Sequence, residues 1–333
     1  MKKEEIKKLF FDIESIWPEL RKNNIIIGGR GIGKTYSTLK KLVDLNEPFL
    51  YLRNTDVQLK ECCGDFGNPF KTLNRDFGLD IHIRQEKTHG VIYSKIDDST
   101  EEIIGYAAAL STFENLRGVD LSDIKYCVFD EFIEKRKLSF DQYDAYYKFY
   151  ETVNRNRELF GEEPFKVILL SNSQSLNNPI LAGFNYVAPI EGMLISGQKK
   201  HKMKDTLILL PDSKISELKK NTGIHTIAKG SKVYNEAIKN EFANDSRYGI
   251  CKRNLREYTG LVMVDDLYIY KHKSMNRYYV CTSQCTNLPE FKSEENKILF
   301  YKGYGKYLQL AYAAGNLEFS DFVTKTKILS ILT

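Results

Sequence analysis

Residues 25–35, with the sequence IIIGGRGIGKT, place four glycines within six positions directly after a β-branched run. From Gly28 to Thr35 the segment fits the pattern G-x-x-x-x-G-K-[ST], and Leu39 and Leu42 follow it with helical spacing. In such a loop, successive backbone N–H groups turn toward phosphate oxygens, and the helix N-terminus favours negative charge. The strand–loop–helix context therefore predicts a nucleotide-binding P-loop.

Each residue of this loop is a predicted nucleotide contact. Lys34 is expected to reach the β- and γ-phosphates of ATP, and Thr35 to ligate Mg²⁺ through its hydroxyl. The predicted set is Gly28, Gly29, Arg30, Gly31, Ile32, Gly33, Lys34 and Thr35.

A second motif supplies carboxylates at a strand end. The segment IKYCVFDEF, residues 124–132, is an apolar run that closes with Asp130 and Glu131. Asp130 is the candidate metal carboxylate, and Glu131 is the candidate that polarises the attacking water. The adjacent glutamate favours an ATP-hydrolysing motor over a GTPase or a nucleotide kinase, and the sequence has neither an N-K-x-D nor an LSGGQ-like segment.

The first half of the chain predicts a doubly wound, mainly parallel α/β sheet. Further strands are expected at 48–54, at 101–111 and at 165–175, with a hairpin over 80–98. A helix is expected from Phe140 to about Asn156. Its tyrosines, Tyr143, Tyr147 and Tyr150, have the spacing of a stripe that faces the core.

Length and composition bound the class of protein. A chain of 333 residues predicts two domains or more, and no apolar run approaches the roughly 20 residues of a membrane span. The first 17 residues have the pattern of an amphipathic helix rather than of a signal peptide. The spacing of the six cysteines favours reduced thiols over a zinc site, so an intracellular protein is expected.

Charge is distributed unevenly along the sequence. Residues 1–195 carry 26 Lys and Arg against 30 Asp and Glu, whereas residues 196–333 carry 23 against 14. The net charges are therefore −4 and +9. The basic back half is compatible either with contact to a polyanion or with an ordinary solvated surface.

A set of motifs in a fixed order resembles the double-stranded DNA packaging ATPases of small tailed phages of the phi-29 type. The set is the P-loop, VFDEFI (128–133), VNRNRE (153–158), LSNSQSLNNP (170–179) and ILLPDS (208–213), and it covers residues 23 to about 215. This resemblance implies a terminase-like ATPase of the additional-strand, catalytic-glutamate class. Such proteins form a homomeric ring, pentameric in the best-known case, at the portal vertex of an empty capsid in the host bacterial cytoplasm.

The resemblance also implies roles for single residues. Arg155 matches an arginine finger that reaches the ATP of a neighbouring subunit, although Arg157 could hold this role instead. Asn172 falls in the coupling motif, where a side-chain amide can sense the γ-phosphate, and Lys34 and Glu131 complete the catalytic set. ATP and Mg²⁺ are the implied cofactors. The implied partners are duplex DNA, the capsid portal or connector and, in some members, a packaging RNA, with no membrane.

Three features upstream of residue 215 allow more than one interpretation. Lys135, Arg136 and Lys137 follow the carboxylate motif and could contact DNA phosphates inside a ring. Residues 195–205 form either a second DNA-facing loop or, as the preferred interpretation, a solvated hairpin. Trp17 could stack on adenine or could pack in the core.

The expected domain division is an ATPase domain over 1–215, a small helical linker over 216–246 and a C-terminal domain over 247–333. The resemblance implies an α+β, RNase H-like fold for the last domain, as a vestigial nuclease. Asp265 and Asp266 end a predicted strand there, but further carboxylates at matching strand ends are lacking, so nuclease activity is not expected. The alternatives to a packaging motor are a ring helicase or AAA+-type translocase, a small-molecule kinase, and a binding module with an inactive ATPase site, against which Glu131 argues.

Overall fold

The computed structural model describes residues 3–116, 120–134, 138–172, 176–212, 214–220, 222–227 and 249–332. Contacts divide the chain into two compact units, each described separately below. The first comprises Met1–Gly183 and Pro189–Asn244, and the second comprises Phe184–Ala188 and Asp245–Thr333. None of the described helices is long and apolar enough to cross a membrane.

A nine-stranded sheet forms the centre of the first unit. Its strands are β1 (Asn23–Gly28), β2 (Phe49–Arg53), β3 (Ile81–Glu86), β4 (His89–Lys95), β5 (Glu101–Ala109), β6 (Tyr126–Asp130), β7 (Lys166–Asn172), β8 (Lys200–Lys202) and β9 (Thr206–Leu209). Their order is β3-β4-β5-β2-β6-β7-β1-β9-β8. The six strands from β5 to β9 in this order are parallel, and an antiparallel pair lies at each edge. The predicted mainly parallel sheet is confirmed.

Helices cover this sheet and connect its strands. They are α1 (Lys3–Lys7), α2 (Lys34–Asp44), α3 (Asp56–Cys62), α4 (Lys71–Phe77), α5 (Gln142–Asn154), α6 (Pro179–Gly183), α7 (Val187–Ser196), α8 (Lys214–Lys219) and α9 (Gly223–Ile227). Segments of 3₁₀ helix lie at Ile13–Glu19, Leu110–Leu116 and Arg157–Phe160. Local capping sets several starts: Thr55 forms a capping box with Gln58 at α3, and Asp141 caps α5.

The core explains why the central strands are apolar along their whole length. Ile25–Ile27 of β1 and Val167–Leu170 of β7 are at most 1% exposed, because helices cover both faces of a parallel sheet. Helix α5 departs from the prediction. Its inward face is formed by Tyr146, Phe149 and their neighbours, whereas Tyr147 is 48% exposed. The predicted tyrosine stripe was wrong because its spacing is one residue out of phase with the face that packs on the sheet.

The second unit contains a five-stranded sheet. Its strands are β10 (Tyr258–Val264), β11 (Leu267–His272), β12 (Tyr278–Cys281), β13 (Glu290–Phe291) and β14 (Leu317–Phe319), in the order β13-β10-β11-β12-β14. The central three are antiparallel, and each edge strand is parallel to its neighbour. Helices α10 (Glu294–Phe300), α11 (Lys306–Ala313) and α12 (Phe322–Leu332) follow, with a π-helical turn at Tyr301–Gly305.

This unit has its own hydrophobic core. Phe300, Leu308 and Ile328 from the three helices pack with the strand residues Val262 and Val280. The unit is therefore α+β, as expected. The RNase H-like assignment stays a prediction, as do the domain boundaries, because most of the proposed linker over 216–246 lies outside the described residues.

Candidate nucleotide-binding site

The P-loop lies between β1 and α2, at the carboxyl edge of the parallel strands. Gly31 has φ +68° and Gly33 has φ +99°, values that other residues adopt only with strain. Helix α2 begins immediately afterwards at Lys34, so its first backbone N–H groups have no intrahelical partner. Ile32 anchors the loop: its side chain is 1% exposed, and its carbonyl accepts a hydrogen bond from Phe11 N.

Lys34 lies inside this loop. Its Nζ donates to the carbonyl oxygens of Gly28 and Gly29, both at 2.9 Å, and contacts Asn172 Oδ1 at 3.3 Å. Burial lowers the pKa of Lys34 to about 8, although the nearby Asp130 carboxylate acts in the opposite direction. The ammonium is therefore a cation held by neutral carbonyl groups, ready to pair with an anion.

Thr35 and Asp130 meet at the base of the site. Thr35 Oγ1 donates to Asp130 Oδ1 at 2.9 Å, and Tyr51 OH donates to Asp130 Oδ2 at 3.1 Å. Asp130 is only 8% exposed, and burial raises its pKa even though Arg53 lies nearby. A hydroxyl beside a carboxylate is a donor set of hard oxygens, which Mg²⁺ prefers. The residues present therefore fit a magnesium ion.

Glu131 follows directly after β6 in a left-handed conformation, with φ +53°. Such a conformation costs a non-glycine residue roughly 1–2 kcal/mol. It turns the side chain, which is 53% exposed, away from the strand, and Arg53 Nη2 contacts Glu131 Oε2 at 2.7 Å. Asn54 Nδ2 donates to the Glu131 carbonyl at 3.0 Å and so stabilises the turn.

These groups line one cavity of about 260 Å³. Asn172 ends β7 and is in register with Gly28 of β1, so both reach the same edge of the sheet. The lining residues are Arg30, Gly31, Ile32, Gly33, Lys34, Thr35, Tyr36, Asp130, Glu131, Ser171 and Asn172. The two sequence motifs and the end of β7 are thus brought together. Ser171 also lines this cavity, and its buried Oγ has no hydrogen-bond partner among the described residues.

The two candidate finger arginines lie elsewhere. Arg155 ends α5 with φ +48° and a side chain that is 56% exposed, and its Nη2 lies 3.7 Å from Asp120 Oδ1. Arg157 is buried, and its guanidinium donates to the Ser122 carbonyl. Because α5 returns across the sheet, both arginines lie near the start of β6, whereas Asp130 lies at its end. Five strand residues span roughly 13–17 Å at about 3.3 Å per residue, which separates Arg155 from the cavity of its own chain.

Three contacts of the site were not foreseen from the sequence. Arg53, the last residue of β2, was noted only as a strand-end residue, and Tyr51, in the middle of the same strand, was not singled out. Lys219 of α8 donates to the P-loop carbonyls of Arg30 and Gly31, at 3.1 and 2.6 Å. The strand-end rule could have identified Arg53, whereas nothing in the local sequence pointed to Tyr51 or Lys219.

Other predicted contacts are placed as follows. Trp17 packs on Tyr126, with ring centroids 5.0 Å apart and Lys41 Nζ over its ring, in the core rather than in the cavity lining. The hairpin expected over 195–205 lies at 200–209 instead, since α7 extends to Ser196, and its Lys200 and Lys202 pair with Glu19. The basic loop of Lys135, Arg136 and Lys137 lies outside the described residues.

A glycine-rich loop around a buried lysine, with a threonine–aspartate pair and an adjacent glutamate on a parallel sheet, defines a P-loop nucleoside triphosphatase. The sequence from residue 6 to residue 264 matches the family described as podovirus DNA encapsidation protein (Gp16). The chain therefore belongs to this family. The family expected from the motifs is confirmed, and with it DNA packaging as the function and ATPase as the enzyme class.

Individual relatives agree with this assignment. The chain is 30% identical over 239 residues to a DNA packaging protein of Bacillus phage B103, which covers 69% of this chain and 67% of the relative. It is 26% identical over 256 residues to that of Bacillus phage phi29, covering 74% and 70%. A chain of the bacteriophage Phi-29 viral genome packaging motor assembly has the same fold, with a TM-score of 0.66, 21% identity and coverage of 98% and 100%.

Proposed function

We propose that this chain hydrolyses ATP with Mg²⁺ and uses the free energy to move double-stranded DNA into an empty procapsid. The observation that carries the proposal is the geometry at the end of β6. Asp130 is joined to the P-loop through Thr35 at 2.9 Å, and the next residue, Glu131, turns into the same cavity. One short segment thus offers a metal-binding carboxylate and a second carboxylate for the attacking water.

The P-loop binds the triphosphate in this proposal. Backbone N–H groups from Gly28 to Thr35 and the N-terminus of α2 point positive charge at the phosphates. Lys34 exchanges its carbonyl partners for β- and γ-phosphate oxygens, and these anions favour its charged form. Because the lysine is already buried and held, little ordering is needed when the nucleotide arrives.

Thr35 and Asp130 are the proposed ligands of Mg²⁺. When bound, this ion neutralises phosphate oxygens and lowers the barrier to phosphoryl transfer. Asp130 would supply the negative charge and Thr35 a neutral hydroxyl oxygen, while Tyr51 donates to Asp130 Oδ2 and so orients the carboxylate.

Glu131 is the proposed catalytic carboxylate. Its left-handed backbone places the carboxylate at the cavity, where it accepts a proton from the attacking water. Arg53 pairs with the carboxylate at 2.7 Å and so holds its orientation. Asn172 contacts Lys34 across the cavity, a position that suits a sensor of the γ-phosphate.

The exposed Arg155 supports a ring in which fingers act between subunits. Arg155 lies at the sheet edge opposite its own cavity, so we propose that it completes the site of a neighbouring subunit in a homomeric ring of five. Leu159 and Phe160, which follow in the next turn, are 82% and 76% exposed. Apolar side chains exposed beside the finger are suited to burial against a second copy of the chain.

The proposed partners follow from the relatives and from the charge. The relative of known structure is part of a packaging motor assembly, so we propose that this chain docks on the portal at a procapsid vertex in the host bacterial cytoplasm. A packaging RNA is a further proposed partner. The basic residues 196–333 suit contact with DNA or RNA. We retain the division into an ATPase domain (1–215), a linker (216–246) and a vestigial nuclease-like domain (247–333).

The test is ATP hydrolysis by the full chain, with and without duplex DNA and empty capsids. Glu131→Gln should bind ATP and Mg²⁺ normally but lose turnover by 100-fold or more, because the amide keeps the shape without the charge, and general acid–base catalysis contributes about 10²–10⁴ in rate. The control is Glu47→Gln, since Glu47 pairs with Lys125 at the opposite sheet edge. Normal turnover in Glu131→Gln, or no hydrolysis by the unmodified chain with DNA and capsids, contradicts the proposal.

A further inference from the structure

A run of buried side-chain amides leads from helix α6 to the backbone of Glu131. Two N–H groups at the start of α6 donate to Asn178 Oδ1, at 3.0 and 3.2 Å. Asn178 Nδ2 donates to Gln142 Oε1 at 2.8 Å, and Gln142 Nε2 donates to Asn54 Oδ1 at 2.6 Å. Asn54 Nδ2 then donates to the Glu131 carbonyl at 3.0 Å. We name Asn178, Gln142 and Asn54 the amide chain.

The direction of every hydrogen bond in the amide chain is determined by its ends. The α6 N–H groups can only donate, so Asn178 must present its oxygen to them and its nitrogen to Gln142. The Glu131 carbonyl can only accept, so Asn54 must present its nitrogen there. If one amide were reversed, it would place donor against donor or acceptor against acceptor at both of its contacts.

Burial makes the amide chain costly to interrupt. Asn54 and Gln142 are 0% exposed and Asn178 is 3% exposed, so water cannot replace a lost partner. Apolar side chains would fill the same volume without this requirement. Three buried amides on three different elements therefore indicate a demand for orientation rather than for packing alone.

The residues that receive the amide chain are those of the catalytic turn. Asn54 Nδ2 also lies 3.4 Å from the Phe132 carbonyl, which accepts from Gln142 Nε2 at 2.6 Å. The carbonyls of the two successive residues Glu131 and Phe132 are thus both held, at the point where Glu131 has φ +53°. The same Asn54 nitrogen contacts Glu134 Oε1 at 3.0 Å, so the segment after the turn is fixed at the same place.

We propose that Asn54, Gln142 and Asn178 are positioning residues that hold Glu131 in the conformation required for hydrolysis. The inference rests on the proposed role of Glu131. It adds a connection between two parts of the site. Asn172, the last residue of β7, lines the cavity, and the segment that follows β7 is connected to the turn at Glu131 through Asn178. A displacement of α6 therefore changes the orientation of Gln142 and Asn54, and with it the position of the Glu131 carboxylate.

The first test is Gln142→Met, which keeps length and volume but removes the hydrogen bonds to Asn178, to Asn54 and to the Phe132 carbonyl. We expect kcat to fall about 10- to 100-fold, since a displacement of about 1 Å can cost 10²-fold. KM and the affinity for a fluorescent ATP analogue should change less than twofold, because the P-loop is untouched. The matched control is Tyr146→Phe, one turn further along α5, which is equally buried and loses its hydrogen bond to Asn23 far from the turn.

Asn178→Asp is the second variant and keeps the contacts to the start of α6. The new carboxylate still accepts from the α6 N–H groups, as a good helix cap does. It can no longer donate to Gln142, so the Gln142 amide must reverse and then presents oxygen to Asn54 Oδ1 and to the Phe132 carbonyl. We expect the same loss of kcat, assayed below the melting temperature of the variant, which should itself fall by several degrees because buried acceptors then face each other. This variant decides the question if Gln142→Met does not fold.

A double-mutant cycle completes the experiment. If the amide chain acts as one unit, Asn54→Ala combined with Gln142→Met should lose little more kcat than either change alone. The inference is overturned if folded Gln142→Met or Asn178→Asp has kcat within twofold of the unmodified chain. That failure is distinct from failure of the proposed function, which would appear as normal turnover in Glu131→Gln.

Discussion

Two buried carboxylates, one in each unit, have opposite environments. Asp130 at the end of β6 contacts the hydroxyls of Thr35 and Tyr51, while its nearest guanidinium nitrogen, on Arg53, is 3.5 Å away. Burial raises its pKa. Glu318 of β14 is equally buried, yet Arg253 donates to both of its oxygens. Although burial acts to raise the pKa of Glu318, these contacts lower it.

The difference separates a ligand site from a structural ion pair. A buried carboxylate whose pKa is raised lacks sufficient positive charge around it, and a bound cation can supply that charge. A carboxylate that already accepts two hydrogen bonds from a guanidinium, as Glu318 does, is stabilised without a bound cation. The strand-end Asp265 and Asp266 are paired likewise, with Lys297 at 3.1 Å and Lys327 at 2.8 Å. Among the described residues, no cluster of three or more His, Cys, Asp or Glu could hold a metal ion.

The contrast between a functional site and a structural ion pair can be tested by substitution. The largest effect is expected at Arg155, where a substitution should alter ATPase activity without altering stability. Arg155→Ala should bind ATP normally and hydrolyse it about 10³- to 10⁵-fold more slowly, the contribution of an arginine finger. Mixed with Lys34→Ala subunits, which retain the finger but not the phosphate lysine, it should regain measurable turnover. The measurement is steady-state hydrolysis across mixing ratios, in rings shown by mass spectrometry to contain both variants.

Arg157→Ala is the control for the finger. Because Arg157 is buried and donates to Ser122, its loss should lower stability and should not be rescued by mixing. If mixed rings of Arg155→Ala and Lys34→Ala stay inactive at every ratio, Arg155 does not act between subunits.

An intermediate effect is expected at Glu318, on stability alone. Glu318→Gln removes the charge that Arg253 and Arg277 share, and should destabilise the second unit by about 1–3 kcal/mol, the value of hydrogen bonds to charged groups. Hydrogen exchange read by mass spectrometry should show faster exchange in β12 and β14 and unchanged exchange in the P-loop. A loss of ATP turnover greater than twofold would show that this carboxylate is not merely structural.

The smallest effect is expected at Asp265 and Asp266. Both belong to ion pairs that are partly or largely exposed, and such pairs contribute about 0–1 kcal/mol each. The double variant Asp265→Asn with Asp266→Asn should therefore keep ATP turnover within twofold and its melting temperature within a few degrees. Cleavage of supercoiled plasmid DNA with Mg²⁺ or Mn²⁺ should not differ between this variant and the unmodified chain. Metal-dependent cleavage that disappears in the variant would restore a nuclease site to the second unit.

The sequence by itself determined the nucleotide-binding core and the family. The P-loop, the carboxylate pair after β6 and the central strands are local signals, since glycine spacing and apolar runs are set by neighbouring residues. Because parallel strands end at one edge, the order of motifs along the chain was enough to place Asp130 and Asn172 near the P-loop.

The tertiary structure alone decided which side chains complete the site. The inward face of α5 depends on how the helix rotates against the sheet, so Tyr146 is buried and Tyr147 is not. The hydrogen bond between Asn54 and Gln142 joins residues 88 positions apart, and Lys219 reaches Gly31 across 188. Such contacts depend on strand register and helix packing, which no local pattern encodes. For the same reason, only the crossover of α5 places Arg155 at the edge opposite its own P-loop.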